Sequence, residues 1–178
     1  MLYMFLADGF EETEAIGCLD VLRRAGVRVK TVSVAGGAVC GCHDIMVLPD
    51  IDKKDIDYEY MEGVILPGGM PGTLNLEKSV AVQAAIRSAM NNNAVVAAIC
   101  AAPSILDHAG YLVGKKYTCY PGFESAVDGE KLDQPVVTDG NLTTGCGPGA
   151  AVDFALELVR VLVSQDKADE IAGGMQWR

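Results

Sequence analysis

Residues 94–99 read Ala-Val-Val-Ala-Ala-Ile, apolar at every position, and Cys100 follows at once. A strand with one wet face alternates apolar and polar residues. A run apolar throughout needs cover on both faces, which puts it in the middle of a parallel sheet. Ala101 and Ala102 are small enough for a tight turn, and Pro103 suits the first turn of a helix, where its missing N–H has no partner to lose. The chain therefore passes from buried strand to helix at Cys100. A corner of that kind strains its backbone and presents its side chain, and hydrolases place nucleophiles there. Amides at the helix start lower a thiol pKa and stabilise a thiolate or an oxyanion. A buried structural cysteine fits the same spacing, and spacing alone does not separate the two.

The rest of the chain alternates in kind. Residues 2–7 read as a buried strand, and Asp8-Gly9-Phe10 as a turn. Residues 11–25 have helical spacing, with Ala15, Leu19 and Leu22 on one face and Ile16 beside them. Glu11, Glu12 and Glu14 crowd the start of that helix, where its dipole favours negative charge; Arg23 and Arg24 lie near its end and Gly26 stops it. Strands are expected at 27–34 and 63–67, a hairpin or edge strand at 39–48, and a surface connection or short helix at 50–62. Helices are expected at 79–90, with Val82, Ile86 and Met90 inward, at 102–109 and at 151–162. A short strand is expected at 117–119, and a hairpin around Gly140 from 136–139 and 141–144.

Strands alternating with helices give an α/β fold with a mostly parallel sheet and helices on both faces. A length of 178 residues suits one domain, 1–178. Ligands bind such sheets beyond the carboxyl ends of the strands. Asp8-Gly9, Gly68-Gly69, Cys100, Tyr120 and Cys146 all follow expected strands, so one sheet edge collects them.

Net charge is −10, with no basic stripe, which argues against a nucleic-acid partner. No apolar run approaches the roughly 20 residues of a membrane span. The first residues lack a basic leader, and six cysteines without an export signal are expected to be mostly free thiols in a reducing cytoplasm. No cofactor is expected: the dinucleotide and phosphate-loop glycine patterns are absent, Gly68-Gly69-Met70-Pro71-Gly72 lacking the Gly-Lys-Ser/Thr ending. Cys40-Gly41-Cys42-His43-Asp44 looks metal-like, but one Cys-x-Cys with a single His lacks the second ligand pair of a structural zinc site. The expectation is no metal, with an exposed redox-active pair somewhat favoured.

Assistance for Cys100 has few sources. His108 lies in the same helix, roughly 12 Å along the axis, too far for a hydrogen bond. His43 is in a hairpin or loop, and both histidines are expected at the surface or in packing. Glu14 sits about one turn into the first helix, beside the same sheet edge. A carboxyl near a thiolate has a raised pKa and, protonated, donates a hydrogen bond to sulfur. Glu11 and Glu12 are read as dipole-complementing acids on a wet helix start.

Five segments in order resemble the ThiJ/PfpI superfamily, in the branch of the parkinsonism-associated deglycase (the DJ-one group). They are Asp8-Gly9-Phe10-Glu11-Glu12-Thr13-Glu14, Asp20-Val21-Leu22-Arg23-Arg24-Ala25-Gly26, Leu66-Pro67-Gly68-Gly69, Ala97-Ala98-Ile99-Cys100-Ala101-Ala102-Pro103 and Gly147-Pro148-Gly149. The resemblance implies a flavodoxin-like three-layer sandwich that usually dimerises, with the first-helix region near the dimer interface. It implies Cys100 as an oxidisable nucleophile, Glu14 as its protonated partner, and Gly69 and Ala101 as backbone donors to an oxyanion. Gly68, Tyr120 and Cys146 would line the pocket, with Cys146 a resolving thiol or a packing residue. Two departures stand out. Where many members of the branch have His before Pro, this chain has Tyr120, which does not readily shuttle protons near neutral pH. Where the protease-like branch has His after the cysteine, this chain has Ala101.

Three activities follow as expectations. The first is a glyoxalase or protein deglycase acting on a small carbonyl substrate or a glycated protein. The second is a non-enzymatic sensor of oxidative stress, or a chaperone, working through oxidation of Cys100. The third is an intracellular cysteine peptidase or amidase, which requires a His within reach of Cys100, and neither His43 nor His108 is expected there.

Overall fold

A computed structural model describes residues 1–125 and 128–177. The strands are β1 (Leu2–Leu6), β2 (Val29–Ser33), β3 (Val39–Cys40), β4 (Met46–Val47), β5 (Ile51–Asp52), β6 (Gly63–Leu66), β7 (Val95–Ile99), β8 (Lys116–Tyr117), β9 (Glu130–Lys131), β10 (Val136–Asp139) and β11 (Leu142–Gly145). The helices are α1 (Glu12–Arg24), α2 (Gly72–Glu77), α3 (Val80–Asn91), α4 (Pro103–His108), α5 (Ala151–Leu162) and α6 (Gln165–Gly174). Seven strands form one sheet in the order β10-β11-β7-β6-β1-β2-β5, parallel except for the β10–β11 hairpin. This is the α/β three-layer architecture the alternation predicts.

Burial on both faces explains the continuous apolar runs. In β1, Tyr3 and Phe5 enter one core with α3 and α4, while Leu2, Met4 and Leu6 enter the other with α1, α5 and α6. β7 divides likewise, Val96 and Ala98 to the first core and Ala97 and Ile99 to the second. On α3, Val82 and Ile86 are fully buried, as their spacing predicts. On α1 the buried stripe is Ala15, Cys18, Val21 and Leu22, whereas Ile16 is 39% exposed, so the expected inner face was drawn about a residue too wide.

Several elements escape the sequence pattern, β5 and α2 among them. β5 lies in an Asp-rich stretch and is anchored by a side chain: Asp50 Oδ2 accepts from Thr31 N–H at 2.8 Å and from Arg23 at 2.6 Å. α2 starts in the Gly68-Gly69-Met70-Pro71-Gly72 segment, which carries little helical signal, and its Asn75 side chain donates to Asp8 O at 2.9 Å.

The chain goes from β1 outward to β2 and β5, then returns to build β6, β7, β11 and β10 on the other side. The order therefore reverses between β1 and β6, where the loops after adjacent strands separate and leave a crevice. Register sets the levels along it. Leu66 stands opposite Ala98 and Gly145 opposite Ile99, so Gly68, Cys100 and Cys146 emerge at nearly the same height.

Phe154, fully buried on α5, packs near Gly145 at the end of β11. Phe154→Ala is expected to lower stability by about 3–5 kcal/mol, read from the urea midpoint at unchanged slope; a loss below about 1 kcal/mol would mean the α5 layer repacks freely.

Candidate active site

Cys100 is the first residue beyond β7 and has φ +65, a conformation that costs a non-glycine residue about 1–3 kcal/mol. Both of its backbone polar groups are held by distant segments. Its N–H donates to Gly145 O at 2.9 Å, and its carbonyl accepts from Tyr120 N–H at 2.9 Å. The turn closes through Ala102 N–H to Ile99 O at 3.1 Å and Ser104 Oγ to Ala101 O at 2.7 Å. The strand-to-helix corner expected from sequence is present, and its side chain is partly exposed.

Glu14 reaches this corner from the opposite side of the crevice. It is 1% exposed, and its Oε2 accepts from Gly68 N–H at 2.7 Å. Its Oε1 is buried without a hydrogen-bond partner among the described residues, so one acceptor remains for a proton or a substrate. Gly68 makes the approach possible. A Cβ there would lie 2.7 Å from Cys100 Cβ and 2.9 Å from Glu14 Oε2, so any side chain would wedge the pair apart.

The two acids shift each other. Burial pushes the Glu14 carboxyl up from 4.5 to about 7, against the pull of the Gly68 amide and the Cys100 thiol; the charge on Glu11 adds to the rise. Burial also pushes the Cys100 thiol up, and the neighbouring Glu14 carboxylate takes it to about 12, while the Ala101 and Gly69 amides pull it down. The expected thiol-lowering amides are in place but outweighed, which corrects the expectation of a freely ionised sulfur. Below about pH 7 the pair carries both protons, and above it one remains, shared between the carboxyl and the sulfur. When Glu14 carries that proton, its repulsion of the sulfur is gone and the two amides act on the thiolate.

Tyr120 and Cys146 stand to one side. With Gly147, Pro148 and Gly149 they line a cavity of about 320 Å³, large enough for a small substrate. All six cysteines are free thiols. Each histidine is engaged away from Cys100: His108 Nδ1 contacts Glu77 Oε1 at 2.5 Å, and His43 Nδ1 contacts Glu12 Oε2 at 2.9 Å. The peptidase expectation is left without the base it requires.

The wet helix start is corrected too. Glu11 and Glu12 are 8% and 7% exposed, and Glu11 is the N-cap of α1, its Oε1 accepting from Thr13 N–H at 3.4 Å. Sequence spacing could not reveal this burial, because the hairpin that covers them lies about thirty residues on.

A model of the DJ-1/PfpI family matches residues 1–161. The chain belongs to this family. It is similar to protein dj-1beta of Drosophila melanogaster, with 38% identity across 97% of this chain and 94% of that one. The crystal structure of Drosophila melanogaster DJ-1beta superposes with a TM-score of 0.95, at 36% identity, over 99% of this chain and 97% of that chain. A DJ-1/PfpI relative in Caenorhabditis elegans, 30% identical over 90% of this chain and 87% of its own, is named a glutathione-independent glyoxalase.

Linkage gives a test of the buried carboxyl. A raised folded-state pKa means the folded protein holds the Glu14 proton from about pH 4.5 to 7 while the unfolded chain has lost it, so stability falls as pH rises through that window. Glu14→Gln removes this dependence. The stability of the variant relative to wild type is expected to be higher at pH 8 than at pH 4 by roughly 3 kcal/mol, measured by urea unfolding at both pH values. An unchanged difference would place an ordinary carboxyl at this position.

Proposed function

We propose that this DJ-1/PfpI protein is a cysteine-dependent enzyme acting on reactive carbonyls, of glyoxalase or protein deglycase type, with Cys100 as nucleophile and Glu14 as its proton relay. The observation that carries this reading is a buried carboxyl, raised to about 7, beside a thiol on a positive-φ corner. A group that takes and returns a proton near neutral pH is what addition to an aldehyde requires. The name of the Caenorhabditis elegans relative supports the same chemistry.

With a 2-oxoaldehyde, the sulfur bonds to the aldehyde carbon while Glu14 takes the thiol proton. The oxygen that becomes negative lies against the Gly69 and Ala101 amides and then receives the proton from Glu14, giving a hemithioacetal. Glu14 next moves the proton on the former aldehyde carbon to the adjacent carbonyl carbon, while the hydroxyl proton of the hemithioacetal passes to the adjacent carbonyl oxygen. The aldehyde carbon is thereby oxidised to a thioester as its neighbour is reduced to an alcohol, so no external oxidant enters. Water cleaves the C–S bond, releases a 2-hydroxy acid and returns the thiol proton. Tyr120 lines the adjoining cavity, where its hydroxyl offers a hydrogen bond in place of the imidazole of many relatives. The same amides and carboxyl would also receive the oxygens of a sulfinate, which favours a sensor of oxidative stress as the second reading. The free thiols favour a cytoplasmic setting.

Methylglyoxal consumption is expected to vanish in Cys100→Ala and to drop about 10²–10⁴-fold in Glu14→Gln. Equal rates for wild type and Cys100→Ala would exclude the enzyme and leave the redox reading.

The assembly expected with this activity is a homodimer. Met46 and Leu48 are 61% and 80% exposed on the β3–β4 hairpin, close to the α1 start that Glu12 ties to it. Met46→Glu with Leu48→Glu is expected to halve the mass measured by sedimentation equilibrium; an unaltered mass would move the interface elsewhere.

A further inference from the structure

We propose that Glu11, Glu12, Cys42 and His43 form a tetrahedral zinc site between the start of α1 and the turn of the β3–β4 hairpin. None of its four ligands is among the residues assigned to the reaction at Cys100.

Four potential ligand atoms, one from each residue, lie within 4.8 Å of one another. Cys42 Sγ is 3.1 Å from Glu11 Oε2, 3.5 Å from Glu12 Oε2 and 3.2 Å from His43 Nδ1. His43 Nδ1 is 2.9 Å from Glu12 Oε2 and 3.5 Å from Glu11 Oε2. A tetrahedron with zinc bonds of roughly 2.0–2.3 Å has edges of roughly 3.3–3.7 Å. The five edges above are within a few tenths of an ångström of that range. A central ion therefore needs slight opening of three edges, His43–Glu12, Cys42–Glu11 and Cys42–His43.

The cluster is also oriented as ligand sets are. Each carboxylate gives one oxygen to the backbone and turns the other toward the cluster. Glu12 Oε1 accepts from His43 N–H at 2.8 Å and Ile45 N–H at 3.4 Å, while Glu11 Oε1 accepts from Thr13 N–H at 3.4 Å. Such outer hydrogen bonds fix ligand direction at metal centres. Cys42 N–H donates to Phe10 O at 2.8 Å, and this locks the turn to the loop before α1. Gly41 leaves the space Glu12 occupies: a Cβ there would lie 2.1 Å from Glu12 Oε1.

The donor set selects the cation. One thiolate, one imidazole and two carboxylates suit a borderline-soft ion of tetrahedral preference and disfavour magnesium or calcium, which take oxygen alone. On binding, the Cys42 thiol releases its proton to solvent as the Zn–S bond forms, and the His43 Nδ1 proton that faces Glu12 leaves that nitrogen so that its lone pair can bind the ion. The complex of Zn²⁺ with three anionic ligands then carries a net charge of −1, by simple count of the ligand charges.

The test uses the full chain, reduced and stripped with a chelator, then titrated with zinc against a chromophoric competitor near neutral pH. Wild type and Cys100→Ser are expected to bind one equivalent tightly. Cys42→Ser and His43→Ala, both on the partly exposed turn, should each weaken binding by more than about 100-fold, since even outer-sphere partners are worth roughly 10–100-fold. Cobalt in place of zinc should show a sulfur-to-metal charge-transfer band in Cys100→Ser and none in Cys42→Ser. The proposal is overturned if wild type binds no zinc, if Cys42→Ser and His43→Ala bind as wild type does, or if Cys100→Ser abolishes binding.

Discussion

One hydrogen bond, from the Gly68 amide to Glu14 Oε2, places the carboxyl where the two halves of the sheet meet. Gly68 follows β6 and Glu14 follows β1, so the bond crosses the crevice at which the strand order reverses. It holds a carboxyl in a dry environment where an unpaired charge would be costly. The shift of Glu14, its coupling to the sulfur and the demand for glycine at position 68 all descend from this placement. An ordinary surface glutamate one turn earlier or later on α1 would leave Cys100 as an unassisted thiol at a corner.

α1 uses its three acids for different ends because of where each points. Glu14 faces the crevice. Glu11 caps the helix with one oxygen, and both it and Glu12 turn the other toward Cys42 and His43. The helix dipole favours negative charge at all three positions, but the surroundings decide its use. On one side is a single polar amide and a thiol; on the other, a turn rich in donors.

Much of the fold was legible because burial leaves a pattern. The apolar runs of β1 and β7 and the Val82–Ile86 spacing on α3 each record a face turned inward. Elements held by side chains rather than by pattern were not legible, as with β5, which depends on Asp50 meeting Thr31. The corner at Cys100 and the reach of Glu14 could be read from spacing and from likeness to known relatives. The direction of the thiol shift could not, because it depends on how deeply two side chains are buried against each other. Nor could the company of Cys42 and His43, since proximity to Glu11 and Glu12 is made by the tertiary fold. The cue that was present is a Cys-His pair in one segment and adjacent acids in another, each incomplete alone.

The anchoring of Cys100 to Gly145 and to Tyr120 bears on how the protein is made. Residues 1–100 contain the nucleophile, the carboxyl and the glycine between them, yet the corner is pinned by strand and loop residues synthesised much later. During translation the thiol emerges before the segments that hold its backbone in place. A truncated or still-growing chain would carry these groups without their alignment, because the backbone on both sides of the sulfur is held only once β11 has docked and the loop at Tyr120 has closed over it.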